Sequence, residues 1–504
     1  MAILDSLLTW FMKKRIHQIE LFMKYPHDVQ EEWFQSLISS AEATEWGKKY
    51  DYNSILTPEE FKNRVPIQDY NSLKPYIDRM IKGEQNILWP SDIKWFAKSS
   101  GTTSDRSKFI PVSEESLTEC HFQGGKDMLT IYFNNKPESQ IFCGKSVVLG
   151  GSSQINSFSS DSYYGDLSSI LLRNLPFWAE FKRTPNLEVT LLPDFEEKIE
   201  KVANITIYEN VTNLAGVPTW NIVLAKKILE ITGKNNLLEV WPNLEFYTHG
   251  GVSFKPYREQ FKKLIPSDNM YYLENYNASE GYFALQDLPD SEELLLMLDY
   301  GIYYEFLPIE NLYDENPQTL GLHQVELNKN YALIISTNAG LWRYMIGDTI
   351  KFVTLSPYRI QITGRTKQFI NTFGEELIVD NAEDAIKKAS ESTHAIVKDY
   401  TAGPIYFKEG EAGAHEWIIE FEQQPDNFET FCKILDQTLR EINSDYDAKR
   451  YKNMALQFPV IHNAPAYTFF QWMKSKGKLG GQNKVPRLSN NRDYLEPILD
   501  IIKK

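Results

Sequence analysis

Cysteine is scarce: Cys120, Cys143 and Cys432 are the only three in 504 residues. An odd count, with no Cys-x-x-Cys pair and no Cys/His ligand spacing, indicates neither a disulfide framework nor a zinc site, and a reducing, cytoplasmic setting is expected. Positive charge is also in deficit. Lys plus Arg number 53 against 68 Asp plus Glu, a formal net charge of −15, which disfavours nucleic acid or an anionic membrane as the main partner. An anionic ligand must then be held by local groups. A long apolar run is missing at the amino end, where Asp5 and Lys13-Lys14-Arg15 interrupt an amphipathic stretch. Neither a cleaved signal nor a membrane span is expected there, and Leu8, Phe11, Ile16 and 19–22 recur at helical spacing suited to packing on a core.

What the chain does have is the segment 95–112, WFAKSSGTTSDRSKFIPV. It reads as strand, loop of small hydroxylated residues, lysine, strand. Small side chains at Ser99, Ser100, Gly101, Thr102 and Thr103 let backbone N–H groups and hydroxyls close on phosphate oxygens, and Lys108 adds countercharge. The spacing is not that of a Walker A loop, which needs Gly-Lys-Ser/Thr at a helix start. Taken alone, the segment fits a solvated Ser/Thr-rich linker equally well.

Two later segments decide between these. Tyr276-Asn277-Ala278-Ser279-Glu280-Gly281 and Leu341-Trp342-Arg343-Tyr344-Met345-Ile346-Gly347-Asp348 each end a β-rich stretch with a carboxylate. The order of the three segments resembles the adenylate-forming superfamily of acyl-CoA synthetases, luciferases and peptide-synthetase adenylation domains. With the late segment Gly481-Gln482-Asn483-Lys484-Val485-Pro486-Arg487, nearly the whole chain is similar to the auxin-responsive Gretchen Hagen family of acyl acid amido synthetases.

The resemblance implies roles residue by residue. The loop and Lys108 would hold the triphosphate. Tyr276 would stack near adenine, with Ser279 beside it and Gly250-Gly251 forming the adenine edge. Glu280 would bind Mg²⁺, Asp348 the ribose hydroxyls, and Arg343 would face the phosphates. Lys367 stands where the superfamily has its hinge. Lys484, in a glycine-rich loop, would neutralise charge on the α-phosphate as the acyl carboxylate attacks; a disordered basic tail is the alternative. His121 and Lys126 would pair with the acid, or are ordinary surface and capping groups. Tyr163, Tyr164, Trp178 and Trp220 are candidates for lining its pocket or simply for core.

The coarse pattern predicts an α/β fold: helices through 28–64, a helix over 70–82, strands at 147–149, 244–251 and 270–276, a helix over 221–232, and a helix after Ser113. Short strands at 294–299, 303–308, 323–326 and 331–337 predict an antiparallel or barrel-like subdomain. Residues 1–366 are expected as a large ATP- and acid-binding domain, and 367–504 as a small mobile α+β lid with helices over 380–390 and 427–443 and strands over 394–401 and 416–422. The expected activity uses ATP and Mg²⁺ to adenylate a small carboxylic acid and passes the acyl group to an amino acid. Phe373-Gly374-Glu375-Glu376 is similar to acyl-CoA synthetases and leaves a thioester product open. A non-catalytic acyl-acid or nucleotide binder is the reading from another class.

Overall fold

The computed structural model describes residues 14–503 apart from 100–107, 151–154, 159–160, 176–179, 193, 253, 255–256, 367–368, 376, 408–411, 454 and 477–484. Reciprocal caps start the helices of the amino-terminal part. For Pro58–Arg64, the Thr57 hydroxyl accepts from the Glu60 N–H while the Glu60 carboxylate accepts from the Thr57 N–H. Asp69 and Ser72 do the same for Tyr70–Ile81. The buried Tyr70, Leu73, Ile77 and Met80 of that helix lie at the three- and four-residue spacing of one face. The face packs on the strand Lys108–Val112, where the Tyr70 hydroxyl accepts from the Phe109 N–H at 2.9 Å. Helical periodicity therefore sets the floor beneath Lys108.

One mixed sheet of 11 strands organises the large part of the chain. Its parallel half runs Arg183–Thr184, Lys145–Val148, Val211–Ala215, Phe246–Gly250, Tyr271–Ala278. Strand order reverses at Lys145–Val148, which has Arg183–Thr184 on one side and Val211–Ala215 on the other. The crevice beyond the carboxyl ends of strands at such a reversal is where open α/β sheets place ligands. From Tyr271–Ala278 onward the neighbours are antiparallel, through Gly281–Leu285, Leu294–Leu296, Tyr358–Arg365, Tyr344–Leu355, Asn330–Thr337 and Ile302–Pro308. The strands expected as a barrel-like subdomain are thus antiparallel, and they continue this sheet. The strand expected over 323–326 is a short 3₁₀ turn, Leu322–Gln324, because the Gln324 side chain accepts from the Gly321 N–H at 2.8 Å.

After Arg365 comes a separate C-terminal domain. It holds a small hairpin, Phe369–Ile370 with Leu377–Ile378, and a sheet ordered Ile396–Ile405, Ala414–Gln423, Val460–Ala464. Helices Val379–Thr393 and Phe428–Ile442 pack on it through Ala382, Ala385, Phe431 and Leu435. The same apolar cluster reaches into the parallel half of the large sheet through Val147, Leu214, Ile222 and Tyr247. Among the described residues no helix is long and apolar enough to cross a membrane.

At the other end, Arg15 ties the first described helix to the sheet. Its guanidinium pairs with the fully buried Asp127 at 2.5 Å and with Asp299 at 2.6 Å, and the Tyr300 hydroxyl donates to Asp127 at 2.8 Å. Removing the cation strands a buried carboxylate. Arg15→Met is expected to lower unfolding free energy by about 3 kcal/mol or more, read as a reduced urea midpoint, while Lys24→Met at the exposed end of the same helix leaves it within about 0.5 kcal/mol.

Candidate active site

The site is built at the strand ends. In the hairpin of Trp95–Ser99 with Lys108–Val112, Ser99 is the register partner of Lys108, so the small-residue loop joins two adjacent strand ends. Ser100, Gly101, Thr102 and Thr103 lie outside the described residues, as do Lys367 and Lys484. Lys108 is buried, with its ammonium 5.9 Å from the Tyr70 ring centroid.

Across from it, Tyr276, Ser279 and Glu280 occupy the end of Tyr271–Ala278 and the turn after it. Glu280 is half-buried. Burial pushes its carboxyl above the ordinary carboxylate range; Lys108 opposes that most, Asp348 reinforces it, and Arg365 opposes it. Glu280 thus feels Lys108, Asp348 and Arg365, although 257 positions of sequence separate the first of the four from the last. Asp348 and Arg365 are register partners on neighbouring strands, and the Arg365 Nε donates to one Asp348 oxygen at 2.8 Å. The Tyr276 hydroxyl donates to the other at 2.7 Å. Burial, and then Asp348, hold that phenol protonated well above its usual range, which keeps it a donor. A carboxylate has about four acceptor sites, so Asp348 is oriented by two donors and retains capacity for vicinal hydroxyls.

The fit to Mg²⁺ follows from these charges. Among the described residues no group of three or more His, Cys, Asp or Glu could hold a metal ion. A carboxylate whose charge is opposed by burial suits an ion that takes its remaining ligands from phosphate oxygens and water, and Glu280 is the residue that would hold one.

Several expectations are revised by position. Arg343, expected to face the phosphates, is instead committed to protein partners. It is 4% exposed and pairs with Glu305, itself 1% exposed, at 2.9 Å. Its other donors go to the Lys62 carbonyl at 2.8 Å, the Val65 carbonyl at 2.5 Å and the Thr319 hydroxyl at 3.0 Å. Glu305 needs a countercharge inside the protein and Arg343 supplies it; the neighbouring Trp342 is likewise committed, donating from its indole to the Leu88 carbonyl at 3.0 Å. A Cβ on Gly250 would fall 2.5 Å from the Asn275 side chain, so the close approach there is to the adjoining strand. A Cβ on Gly251, where φ is +80°, would meet Val217 at 3.8 Å among the described residues, so its backbone is the less crowded of the pair.

The acid-pairing candidates separate as well. Lys126 is exposed on helix Phe122–Asn135. His121 ends the π-helical turn Ser116–His121 and is buried, and burial pushes its imidazole down to about 4. It is neutral at pH 7 and cannot serve as a cation for a carboxylate. Tyr163 and Tyr164 do sit beside the hairpin, Tyr163 with its ring 5.2 Å from Trp95, and Tyr164 stacked on Phe158 at 4.2 Å and 5.3 Å from Phe109. Trp220 lies at the seam with the C-terminal domain. Sequence reasoning passed over Arg365, yet the signal was there: the tight turn at 356–357 joins the two strands, and counting back along them pairs Arg365 with Asp348.

Two stability measurements distinguish these roles. Arg343→Leu is expected to cost about 3–5 kcal/mol because it leaves Glu305 buried and unpaired, whereas Arg365→Leu, at a position 20% exposed, lowers the urea midpoint markedly less. Glu280 gives the opposite sign. A carboxyl held above its unfolded pKa destabilises the fold once ionised: the penalty is absent below the unfolded pKa and complete above the folded one. Glu280→Gln is therefore expected to raise the melting temperature of the ligand-free protein at pH 7 to 8, and the gain should vanish near pH 4.

Comparison with known proteins gives the family. The GH3 family N-terminal domain matches residues 15–270, its central domain 295–365 and its C-terminal domain 380–493. Indole-3-acetic acid-amido synthetase GH3.3 of Arabidopsis thaliana is 22% identical, the match covering 97% of this chain and 93% of that protein. Jasmonoyl--L-amino acid synthetase JAR4 of Nicotiana attenuata is 24% identical over 94% of this chain and 92% of its own. Among solved structures, the GH3.15 acyl acid amido synthetase superposes with a TM-score of 0.62 at 16% identity, covering 97% of this chain and 95% of that one. A 2-hydroxyisobutyryl-CoA ligase reaches 0.60 at 12% identity, with 95% and 92% covered. The fold is that of adenylate-forming ligases, and with all three family domains in order along its length the chain belongs to the GH3 family.

Proposed function

We propose that this protein is an ATP-dependent acyl acid amido synthetase: it adenylates a small carboxylic acid, releases pyrophosphate, and passes the acyl group to the amine of an amino acid with release of AMP. The observation that carries the reading is the gathering of Lys108, Glu280, Asp348 and Arg365 into one charged cluster at the strand ends. Relatives along nearly the whole chain are named as synthetases joining acyl acids to amino acids, which supports the same reaction class here.

In this reading each residue has a defined task. Asp348, aimed by Tyr276 and Arg365, accepts from the ribose hydroxyls. Lys108 lies against the triphosphate and lowers the cost of bringing an anionic carboxylate toward it. Glu280 would hold Mg²⁺, whose charge offsets that of the phosphate oxygens. Gly251 gives the adenine its edge. The acid lies beside Tyr163 and Tyr164, next to the hairpin, with its carboxylate countered from the phosphate loop because His121 is neutral. No side chain becomes covalently attached; positioning and charge stabilisation supply the rate.

The proposal also divides the chain at 366/367, with Lys367 as pivot and Lys484 carried by the lid. The segment following Lys484 is anchored: the Thr401 hydroxyl donates to the Pro486 carbonyl at 2.6 Å and the Ala402 N–H to the Arg487 carbonyl at 2.8 Å. Pro486 and Arg487 are therefore held on a packed strand of the C-terminal domain.

The test is incubation with ATP, Mg²⁺, a panel of carboxylic acids and the 20 amino acids, followed by mass spectrometry. Acid-dependent formation of AMP and an amide is expected. A thioester formed with CoA in place of the amide would assign the protein to the acyl-CoA ligases, and absence of acid-dependent pyrophosphate release across the panel would make it a binder. Lys108→Met and Lys484→Ala are each expected to lower acid-dependent pyrophosphate release about 10²-fold or more; unchanged release in either removes that lysine from the chemistry.

A further inference from the structure

Two buried lysines meet at the reversal point of the large sheet, one from each part of the chain. Lys198, on helix Phe195–Thr206, is 1% exposed, and its ammonium donates to the Gly150 carbonyl at 3.4 Å, just past the end of Lys145–Val148. Lys449, on helix Ser444–Arg450 of the C-terminal domain, is 7% exposed. Its ammonium sits 4.3 Å from the ring centroid of Trp220, which belongs to helix Pro218–Thr232 of the large part. Among the described residues no carboxylate lies within ion-pair distance of Lys449. What faces it is the aromatic surface and the longer-range field of Asp445, Glu375 and Asp166.

The surroundings show that this contact crosses a seam. Phe373 and Gly374 run over the same spot: the Thr219 hydroxyl donates to the Phe373 carbonyl at 3.5 Å, and a Cβ on Gly374 would lie 3.3 Å from the Lys449 side chain. Close by, the Tyr257 hydroxyl donates to the Thr372 carbonyl at 2.7 Å and the Asn371 amide to the Gly251 carbonyl at 3.3 Å. Those bonds involve backbone carbonyls and are readily exchanged for water. The contact of Lys449 with the indole is different: burial pulls its ammonium below the ordinary lysine range while Asp445, Glu375 and Asp166 oppose that, so the cation depends on the ring beneath it and on that acidic field, and the geometry is specific to Trp220. Asp166 acts on both lysines and offsets their mutual repulsion. Burial, with Lys449 adding to it, pushes Lys198 down to about 8, so the seam tolerates a second cation poorly and is set for the charge pattern of one docked arrangement.

We propose that Lys449 is a positioning residue that latches the C-terminal domain in the orientation seen here, by seating its ammonium on Trp220 in the field of Asp166. The consequence rests on the reading given under Proposed function, in which the lid turns about Lys367, with that turn falling between adenylation and amide formation. A latch that favours one orientation changes the two half-reactions unequally. A residue that merely supported folding would depress both together.

The test uses the full chain with Lys449→Met, Trp220→Leu and Lys449→Arg. Acid-dependent ATP–pyrophosphate exchange reports the first half-reaction, and amide formation from pre-formed acyl-adenylate the second. The ratio of the two rates is expected to shift at least tenfold in Lys449→Met and in the same direction in Trp220→Leu, while Lys449→Arg, which keeps the cation over the ring, stays within about threefold of the parent. Parallel losses, or none, in both of the first two variants overturn the latch. A second readout needs no activity. With Cys143→Ser and spin labels at Tyr208→Cys and Phe470→Cys, both exposed positions, the parent is expected to give one dominant distance, and Lys449→Met a second population. An unchanged distribution in Lys449→Met and Trp220→Leu overturns the latch even if the protein proves to make no amide; a shifted one with no adenylation in the parent retains the latch and removes the synthetase reading.

Discussion

A charge removed from water must find its counterpart inside the protein, and that requirement fixes how this chain is arranged. Glu280, Asp348, Lys108 and Arg365 come from segments scattered over more than half the sequence, and none of the four is fully exposed. The 11-stranded sheet carries Asp348 and Arg365 on its strands and Glu280 in a turn between two of them, and the smaller four-stranded sheet brings Lys108 to the same place. Tyr276 and Asp348 sit on strands that are not neighbours, yet the phenol reaches the carboxylate at 2.7 Å, so the antiparallel half of the sheet must curl the Asp348 strand toward the Tyr276 strand. The site is a property of sheet geometry before it is a property of any loop.

The same requirement separates residues that act from residues that hold. Arg343–Glu305 and Arg15–Asp127 are charge pairs at least as deep as those in the site, but their donors and acceptors are spent on protein partners. They pin the antiparallel strands and the first helix in register with the rest. Glu280 is the opposite case. Burial works against its charge more than Lys108 and Arg365 offset it, a cost to the free fold that a bound cation would relieve, which is how a binding site differs from a structural ion pair.

Much of this was legible in the sequence, and the reasons differ by element. Helices Pro58–Arg64 and Tyr70–Ile81 announce themselves through caps and periodicity, and the hairpin around the small-residue loop through two short apolar runs. Of the parallel strands, those near 147–149, 244–251 and 270–276 were legible as apolar runs, whereas Arg183–Thr184 and Val211–Ala215, short or broken by polar residues, were not. Side-chain direction was not legible. The motif holding Trp342, Arg343 and Asp348 has two residues facing the interior and one facing the site, and a linear string cannot say which. Lys126 and His121, five positions apart, diverge to solvent and to a buried neutral state because five positions turn a helix to faces about 140° apart, and composition does not signal which face is inward. Lys198 and Lys449 were invisible for a further reason: each looks like an ordinary helix-surface lysine until the fold buries it against the other part of the chain.

The central claim is that these converging charges activate a carboxyl group by joining it to the α-phosphate of ATP. Isotope transfer tests that most directly. With an acid that supports turnover, labelled with ¹⁸O in its carboxylate, the account predicts that one ¹⁸O per amide formed appears in the phosphate of AMP, because the bond from acyl carbon to that oxygen breaks when the amine attacks. Label appearing in orthophosphate, or remaining wholly outside AMP, would contradict it.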